Sequence, residues 1–192
     1  MRKLVIVVVA TVLCGSFVRP ATADVILGQQ LYYTGGDVTV DILPPSAGYW
    51  SHLSLYLLSG RGAVEVAFLG KNHLHFGPLV TFNPGTDFGY ADGDELVFGI
   101  YVWNTEQTYF MGPAGRNPDE LVHAGVEQVG SNSFIVGFED LFGSPPSSDR
   151  DFNDNRFLFT GSLATAVSEP GTLALLGLGL LGIGVARRRK KI

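Results

Sequence analysis

The residues best suited to chemistry form a run of oxygen-bearing side chains between positions 137 and 159. Calcium in proteins takes roughly six to eight oxygen ligands, and carboxylates are prominent among them. The same segment contains no Cys or His that would favour a softer metal. We therefore predict a structural Ca²⁺ site whose candidate ligands are Glu139, Asp140, Asp149, Asp151, Asn153 and Asp154.

The spacing of these residues ranks them as ligands. Positions 149, 151 and 153 alternate, so their side-chain oxygens can turn to one side of a loop. Asp149, Asp151 and Asn153 are therefore the first-choice ligands. The site would be closed or capped by the remaining acids, Glu139, Asp140 and Asp154.

An ion-free explanation of the same loop stays open. The pattern is not an EF-hand, because Asp154 stands where that loop needs Gly and Thr160 stands where it needs Glu. The acids and Asn153 could instead close a surface loop as Asx turns, with Arg150 and Arg156 offsetting part of the charge. Crowded carboxylates repel one another unless they bind a cation or face water.

Two tryptophans form the second candidate site. Aromatic rings suit the apolar C–H faces of sugars, so Trp50 and Trp103 are candidates for glycan stacking. Tyr49 and Tyr109 are further aromatic residues that could stack in the same way. Burial in the core would explain the same aromatic residues. A polysaccharide-binding module that uses surface aromatic rings is therefore the alternative function, and burial of both indoles would count against it.

No catalytic motif stands out. The sequence contains no Gly-x-Ser-x-Gly elbow, no phosphate-binding loop and no His-Glu-x-x-His helix. Glu139 and Asp140 have the composition of a glycosidase pair, but neighbouring strand residues point to opposite faces of a sheet. We expect a non-catalytic protein, with a hydrolase as the remaining alternative.

Eight segments with period-two alternation predict the strands that must position these sites. The breaks between them contain turn residues, as in Gly35-Gly36, Pro44-Pro45, Pro84-Gly85 and Asp92-Gly93-Asp94. Short strands without intervening helical patterns indicate an all-β fold, an antiparallel β-sandwich or jelly roll. We predict one domain over residues 24–167 with strands at Val25–Tyr33, Val38–Leu43, Leu53–Leu58, Val64–Leu69, Leu96–Trp103, Thr108–Met111, Phe134–Phe138 and Phe157–Leu163.

Composition and charge exclude two classes of protein. Apolar residues make up 46% of the chain and charged residues 16%, which excludes an intrinsically disordered protein. Residues 24–167 contain five basic and 17 acidic side chains, a net charge of −12. So acidic a domain repels phosphate backbones, and we therefore expect no nucleic-acid partner.

The N-terminus has the pattern of a secretory signal. Arg2 and Lys3 precede an apolar run, and Ala21-Thr22-Ala23 places small residues before a cleavage point. We predict a signal peptide over residues 1–23, cleaved before Asp24. The single cysteine, Cys14, lies inside it, so the mature domain would have no disulfide.

Residues 168–192 form a second targeting segment. Glu169 and Pro170 are followed by an apolar stretch, Leu173 to Ala186, and a basic end. Such a stretch predicts a helix in the inner membrane with its basic end in the cytoplasm. A plain tail anchor is the alternative to a processing signal. The basic end contains Arg187, Arg188, Arg189, Lys190 and Lys191.

This end resembles the PEP-CTERM sorting tail of exopolysaccharide-producing Gram-negative bacteria. Glu169, Pro170, the Leu/Gly-rich stretch and the basic end match that tail, while Ser168 replaces its first proline. The resemblance implies that an exosortase, a membrane transpeptidase, recognises and removes the tail. It also implies a membrane-anchored precursor, then a cell-surface or extracellular-matrix protein with exopolysaccharide as a further partner.

Residues 90–160 resemble a domain of unknown function found in secreted bacterial proteins. The resemblance lies in Phe138-Glu139-Asp140-Leu141 and in the run from Asp149 to Asp154. Asn117-Pro118-Asp119 with His123 is similar to that domain's upstream segment. The resemblance implies an extracellular, calcium-stabilised β domain without an established activity.

Overall fold

The computed structural model describes residues 24–59, 62–73 and 77–165, whose regular secondary structure is almost entirely antiparallel strands. One short helix, α1 (Pro84–Phe88), and a 3-10 turn at Ala114–Arg116 stand between strands. The predicted antiparallel all-β class is confirmed. The strands are β1 (Ile26–Leu27), β2 (Leu31–Ile42), β3 (Ser51–Ser59), β4 (Gly62–Lys71), β5 (Gly77–Phe82), β6 (Glu95–Val102), β7 (Gln107–Phe110), β8 (Ala124–Gly130), β9 (Ser133–Phe138) and β10 (Asn155–Thr165).

Hydrogen bonding divides the strands into two sheets that are joined at one corner. The first sheet has the order β1-β8-β9-β10-β2-β5. The second sheet has the order β7-β6-β3-β4. At the corner, Leu31 and Tyr32 of β2 pair with Leu96 and Glu95 of β6. β2 therefore pairs with β10 and β5 in the first sheet and, at this corner, with β6 of the second sheet.

One cluster of buried apolar side chains draws on both sheets. In β6, Leu96, Phe98 and Ile100 are fully buried, as period-two alternation requires for one inward face. Phe98 meets Phe159 of β10, with ring centroids 4.3 Å apart. Such aromatic pairs contribute about 0.5–1.5 kcal/mol beyond the burial of their area. The two sheets are thus in direct contact through large rings.

The N-terminal strands differ from the prediction. The single strand expected over Val25–Tyr33 is divided at Gly28, whose φ is 71°. The Gly35-Gly36 pair, predicted as a break, lies inside β2. A Cβ on Gly36 would lie 2.6 Å from Ser162 Oγ, at the register shift between Gly161 and Leu163. These glycines therefore accommodate a bulge in a continuous strand.

Three further elements were not predicted: β5, β8 and α1. The Pro84-Gly85 break begins α1, because the Asn83 side chain accepts hydrogen bonds from the Gly85 and Thr86 backbone N–H groups. In β8, Gly125 lies under Val25 and Leu27, where a Cβ would approach Val25 to 2.5 Å. Close packing against β1 requires Gly at this position. Without a side chain there, the segment lacks the alternating apolar residues by which a strand is predicted from sequence.

Within the described ranges, no helix has the length and apolar character needed to cross a membrane. The predicted signal peptide (1–23) and the predicted tail helix within 168–192 both lie outside those ranges.

Candidate metal centre

Strand pairing brings the two ends of the acidic loop together. Asn155, the first residue of β10, pairs with Phe138, the last residue of β9. Glu139 and Asp154, one residue beyond this pair, therefore stand opposite each other. The Asp140 backbone N–H donates to Asp154 Oδ2 at 3.1 Å. The 16-residue connection from 139 to 154 is thus closed at its base.

Three carboxylates converge at this base. Glu139, Asp140 and Asp154 each place one oxygen within 4.8 Å of the other two. Oxygens that bind the same Ca²⁺ at about 2.3–2.6 Å lie at most about 5 Å apart. Glu139 is 0% exposed and Asp140 is 3% exposed. We call these three residues the inner group, and their separation fits a common cation.

Glu139 has an oxygen that the described protein does not satisfy. Its Oε1 accepts a hydrogen bond from the Leu141 backbone N–H at 3.2 Å. Its Oε2 is buried and has no hydrogen-bond partner among the described residues. An unsatisfied buried acceptor costs about 1–3 kcal/mol, and more when the group is charged. A bound cation would supply the missing partner.

The electrostatics of the inner group also favour a cation. Burial first, and repulsion by Asp154 second, raise the pKa of Glu139 to about 7. Burial likewise raises the pKa of Asp140 to about 7, with Asp154 and Glu139 adding to the effect. Burial is the main reason that the pKa of Asp154 is raised. Three negative charges are therefore unfavourable here unless a positive charge joins them.

A second, outer group extends the cluster to the surface. Glu139, Asp149 and Asp151 also place one oxygen each within 4.8 Å of one another. Asp149 and Asp151 are exposed, whereas Glu139 belongs to both groups. The structure thus brings five of the six predicted ligands into two overlapping triads.

Asn153, the sixth predicted ligand, is held by hydrogen bonds. Its backbone N–H donates to Asp151 Oδ1 at 3.0 Å, which is the Asx turn of the ion-free alternative. Its side-chain Nδ2 donates to Asp151 Oδ2, and its Oδ1 accepts from Ser46 Oγ. The turn and the acidic cluster therefore coexist in one loop.

A buried His–Asp pair anchors the start of the loop. The Glu139 backbone N–H donates to the His123 carbonyl at 2.9 Å, and His123 Nδ1 lies 2.9 Å from the Glu139 carbonyl. His123 Nε2 lies 2.9 Å from Asp119 Oδ2. A carbonyl can only accept, so Nδ1 donates to it. In the sequence, Asp119 and His123 stand out only through the resemblance to the secreted domain, which assigns them no role.

Asp119 remains ionised in this pair. Burial alone would raise its pKa, but hydrogen bonds from the Gly143 N–H, the His123 ring and the Leu121 N–H outweigh that effect and lower the pKa. Nε2 of His123 faces this carboxylate, and the His123 ring stacks on the ring of Tyr109 with centroids 3.9 Å apart. The hydrogen bonds of His123 and Asp119 fix both Glu139 and Gly143.

Asn155 links the inner group to the second sheet. Its Nδ2 donates to Asp140 Oδ2 at 3.4 Å. Its Oδ1 accepts from Ser51 Oγ at 2.8 Å and from Asn72 Nδ2 at 2.7 Å. Asn155 was not among the predicted site residues, because its role depends on contacts with the second sheet.

The structure leaves both predicted glycan-stacking tryptophans at the surface. Trp50 is 46% exposed and Trp103 is 50% exposed, whereas Tyr109 is fully buried. The Trp103 backbone N–H donates to the Trp50 carbonyl at 2.8 Å. A depression of about 330 Å³ is lined by Trp50, Lys71, Trp103 and Asn104. Core burial therefore explains Tyr109 but not the two indoles.

Comparison with known proteins informs the C-terminal end. Residues 166–190 match the family model of the PEP-CTERM protein-sorting motif. The chain carries this sorting motif. The motif implies export across the membrane of a Gram-negative bacterium, processing by an exosortase and a cell-surface fate.

The five predicted sorting residues fall inside the matched range and outside the described residues: Glu169, Pro170, Arg187, Arg188 and Arg189. No curated protein and no solved structure matches the chain. The resemblance of residues 90–160 to a secreted domain of unknown function stays a prediction.

Proposed function

We propose that this exosortase-processed surface protein is non-catalytic and that Ca²⁺ stabilises its β domain at the inner group. The sorting motif supports the surface location. The observation that supports a bound ion is the buried Glu139 Oε2, which has no hydrogen-bond partner among the described residues and lies close to the Asp140 and Asp154 carboxylates. A ligand that binds only the folded state adds RT ln(1 + [L]/Kd) to the stability.

The accessibility of the acids favours an ion over a hydrolase. Glu139 and Asp140 were expected to diverge as neighbouring strand residues, but they converge because both follow the end of β9. A glycosidase needs its carboxylate pair on either side of a substrate bond. Exposures of 0% and 3% leave no room for a sugar between these two groups.

The remaining steps of export belong to the same proposal. A signal peptide ending before Asp24 directs the chain to the inner membrane, and the tail helix holds the precursor there until the exosortase cuts near Pro170. The released domain is a jelly-roll-like β-sandwich of the extracellular matrix. The contact between Phe98 and Phe159 across the two sheets supports the sandwich arrangement.

The test of the calcium proposal is thermal unfolding of the mature protein in excess CaCl₂ and in EDTA. We expect a higher melting temperature in Ca²⁺, and Asp140→Asn should remove the difference. Asp92→Asn, in an exposed turn before β6, is the matched control and should keep it. Equal melting in CaCl₂ and EDTA would rule out the ion.

Polysaccharide binding is the second candidate function. The exposure of both indoles favours it, because apolar rings of this size are otherwise among the groups that folding buries.

A further inference from the structure

We propose that the outer face of the second sheet binds an uncharged polysaccharide, with Trp50 and Trp103 as the principal stacking rings. This inference rests on the second candidate function and names its site and its ligand class. We call the five rings that form this face the aromatic strip: Trp50, His52, Phe68, Tyr101 and Trp103.

The pairing register places both indoles on one face. Ser51 of β3 is opposite Val102 of β6, so Trp50 and Trp103 are the next opposed pair. Side chains of directly opposed residues lie on the same face, with Cβ atoms about 4.5–5.5 Å apart. Val102 is fully buried, so its neighbour Trp103 points outward. Trp50 points outward with it.

The same alternation extends the strip across three strands. His52 is opposite Tyr101, one pair further along, and their ring centroids are 5.3 Å apart. The His52 ring also lies 5.6 Å from Trp103 and 5.3 Å from Phe68 of β4. Phe68 is 53% exposed. His52 is 9% exposed and lies among its neighbouring rings, so Phe68 and the two indoles are the rings of the strip that face solvent most fully.

Polar groups stand beside the rings where sugar hydroxyls would need partners. Lys71 Nζ lies 4.8 Å from the centre of the Trp103 ring. Asn104 accepts the Trp50 backbone N–H at 2.8 Å, which holds its amide at the edge of the depression. The volume of about 330 Å³ falls in the range of small-ligand pockets, about 300–1,000 Å³. Apolar faces edged by amide and ammonium donors match a pyranose ring.

Charge selects the class of polysaccharide. Residues 24–167 carry a net charge of −12, and Lys71 is the basic residue that lines the depression. A polyanion would be repelled by the whole domain, whereas an uncharged chain would not. A second copy of this protein would bring the same negative charge and would be repelled as well. An uncharged polysaccharide is therefore the occupant that the charges favour.

The test is binding of the mature protein to a panel of uncharged and acidic polysaccharides. We expect retention on at least one uncharged polymer, and Trp50→Ala or Trp103→Ala should weaken it about tenfold or more, which is at least about 1.4 kcal/mol. Phe142→Ala is the matched control, because Phe142 is an aromatic residue 52% exposed in the acidic loop. This control should bind like the wild type.

Three outcomes would overturn the inference: no binding to any uncharged polymer, binding to acidic polymers alone, or unchanged binding by both tryptophan variants. Self-association that both variants abolish, without glycan binding, would assign the strip to a second copy and overturn it too. The Ca²⁺-dependent rise in melting temperature should persist in both variants. That measurement separates a failed glycan site from a failed calcium site and shows that the variants fold.

Discussion

Replacing Glu139 by Gln removes a buried charge while keeping the shape of the side chain, and its stabilising effect should largely disappear when calcium is added. Raising the pKa of Glu139 from 4.5 to about 7 disfavours its ionised form by about 3 kcal/mol. For an acid with a raised folded-state pKa, the folded state holds the proton more tightly than the unfolded state. Stability without calcium therefore falls as the pH rises from about 4 to about 7.

At pH 8 in EDTA, Glu139→Gln should consequently stabilise the domain by up to about 3 kcal/mol. At about 3 °C for each kcal/mol, the melting temperature should rise by about 9 °C. In Ca²⁺ at 100 times Kd, the wild type should gain about 2.7 kcal/mol. The variant should gain less than about 1 kcal/mol, because the carboxylate shared by both triads is missing.

The assay is differential scanning calorimetry of the mature wild type and variant at pH 5 and pH 8, each with CaCl₂ and with EDTA. The wild type in EDTA should melt at a lower temperature at pH 8 than at pH 5, and the variant should show a smaller difference. A variant that retained the full calcium increment, or that melted below the wild type in EDTA at pH 8, would refute the reasoning.

Three further predictions follow from the same geometry and from the sorting motif. Calcium affinity, measured by isothermal titration calorimetry, should fall as the pH drops below about 7, by about tenfold per pH unit for each proton that the ion displaces; a flat profile from pH 5 to 8 would contradict it. Gly137→Ala should destabilise the domain by about 1–3 kcal/mol in chemical denaturation, because its Cβ would lie 2.2 Å from the Phe152 carbonyl oxygen, whereas Gly48→Ala, which meets nothing within 4 Å, should change little. Mass spectrometry of the mature protein should show a start at Asp24 and loss of the tail near Pro170; an intact tail would indicate a plain anchor.

The acidic loop could be located from the sequence because hard-cation ligands leave a local signal in composition. Their arrangement could not be predicted in the same way. The alternation of Asp149 and Asp151 is visible along the chain, but the approach of Glu139 to Asp154 depends on β9 pairing with β10. The expected divergence of Glu139 and Asp140 failed because strand geometry ends at Phe138.

The strands show the same division between local and long-range information. Regular alternation identified β6, whereas β8 begins with Ala124 and Gly125, whose small side chains leave no alternating apolar signal. The faces of Trp50 and Trp103 depend on the register of β3 against β6. A one-residue slip would place the two rings on opposite faces of the sheet, and no single segment of sequence fixes that register.

The polar bridge through Asn155 has a mechanical consequence. Asn155 contacts Asp140 on one side and, on the other, Ser51 and Asn72, which immediately follow Trp50 and Lys71 in the chain. Under the two proposals, tension on a polysaccharide bound at those rings would therefore pass into the acidic loop through these hydrogen bonds. Calcium bound in that loop would hold its carboxylates together under this tension. The force that the domain withstands in a matrix would then depend on the concentration of the ion.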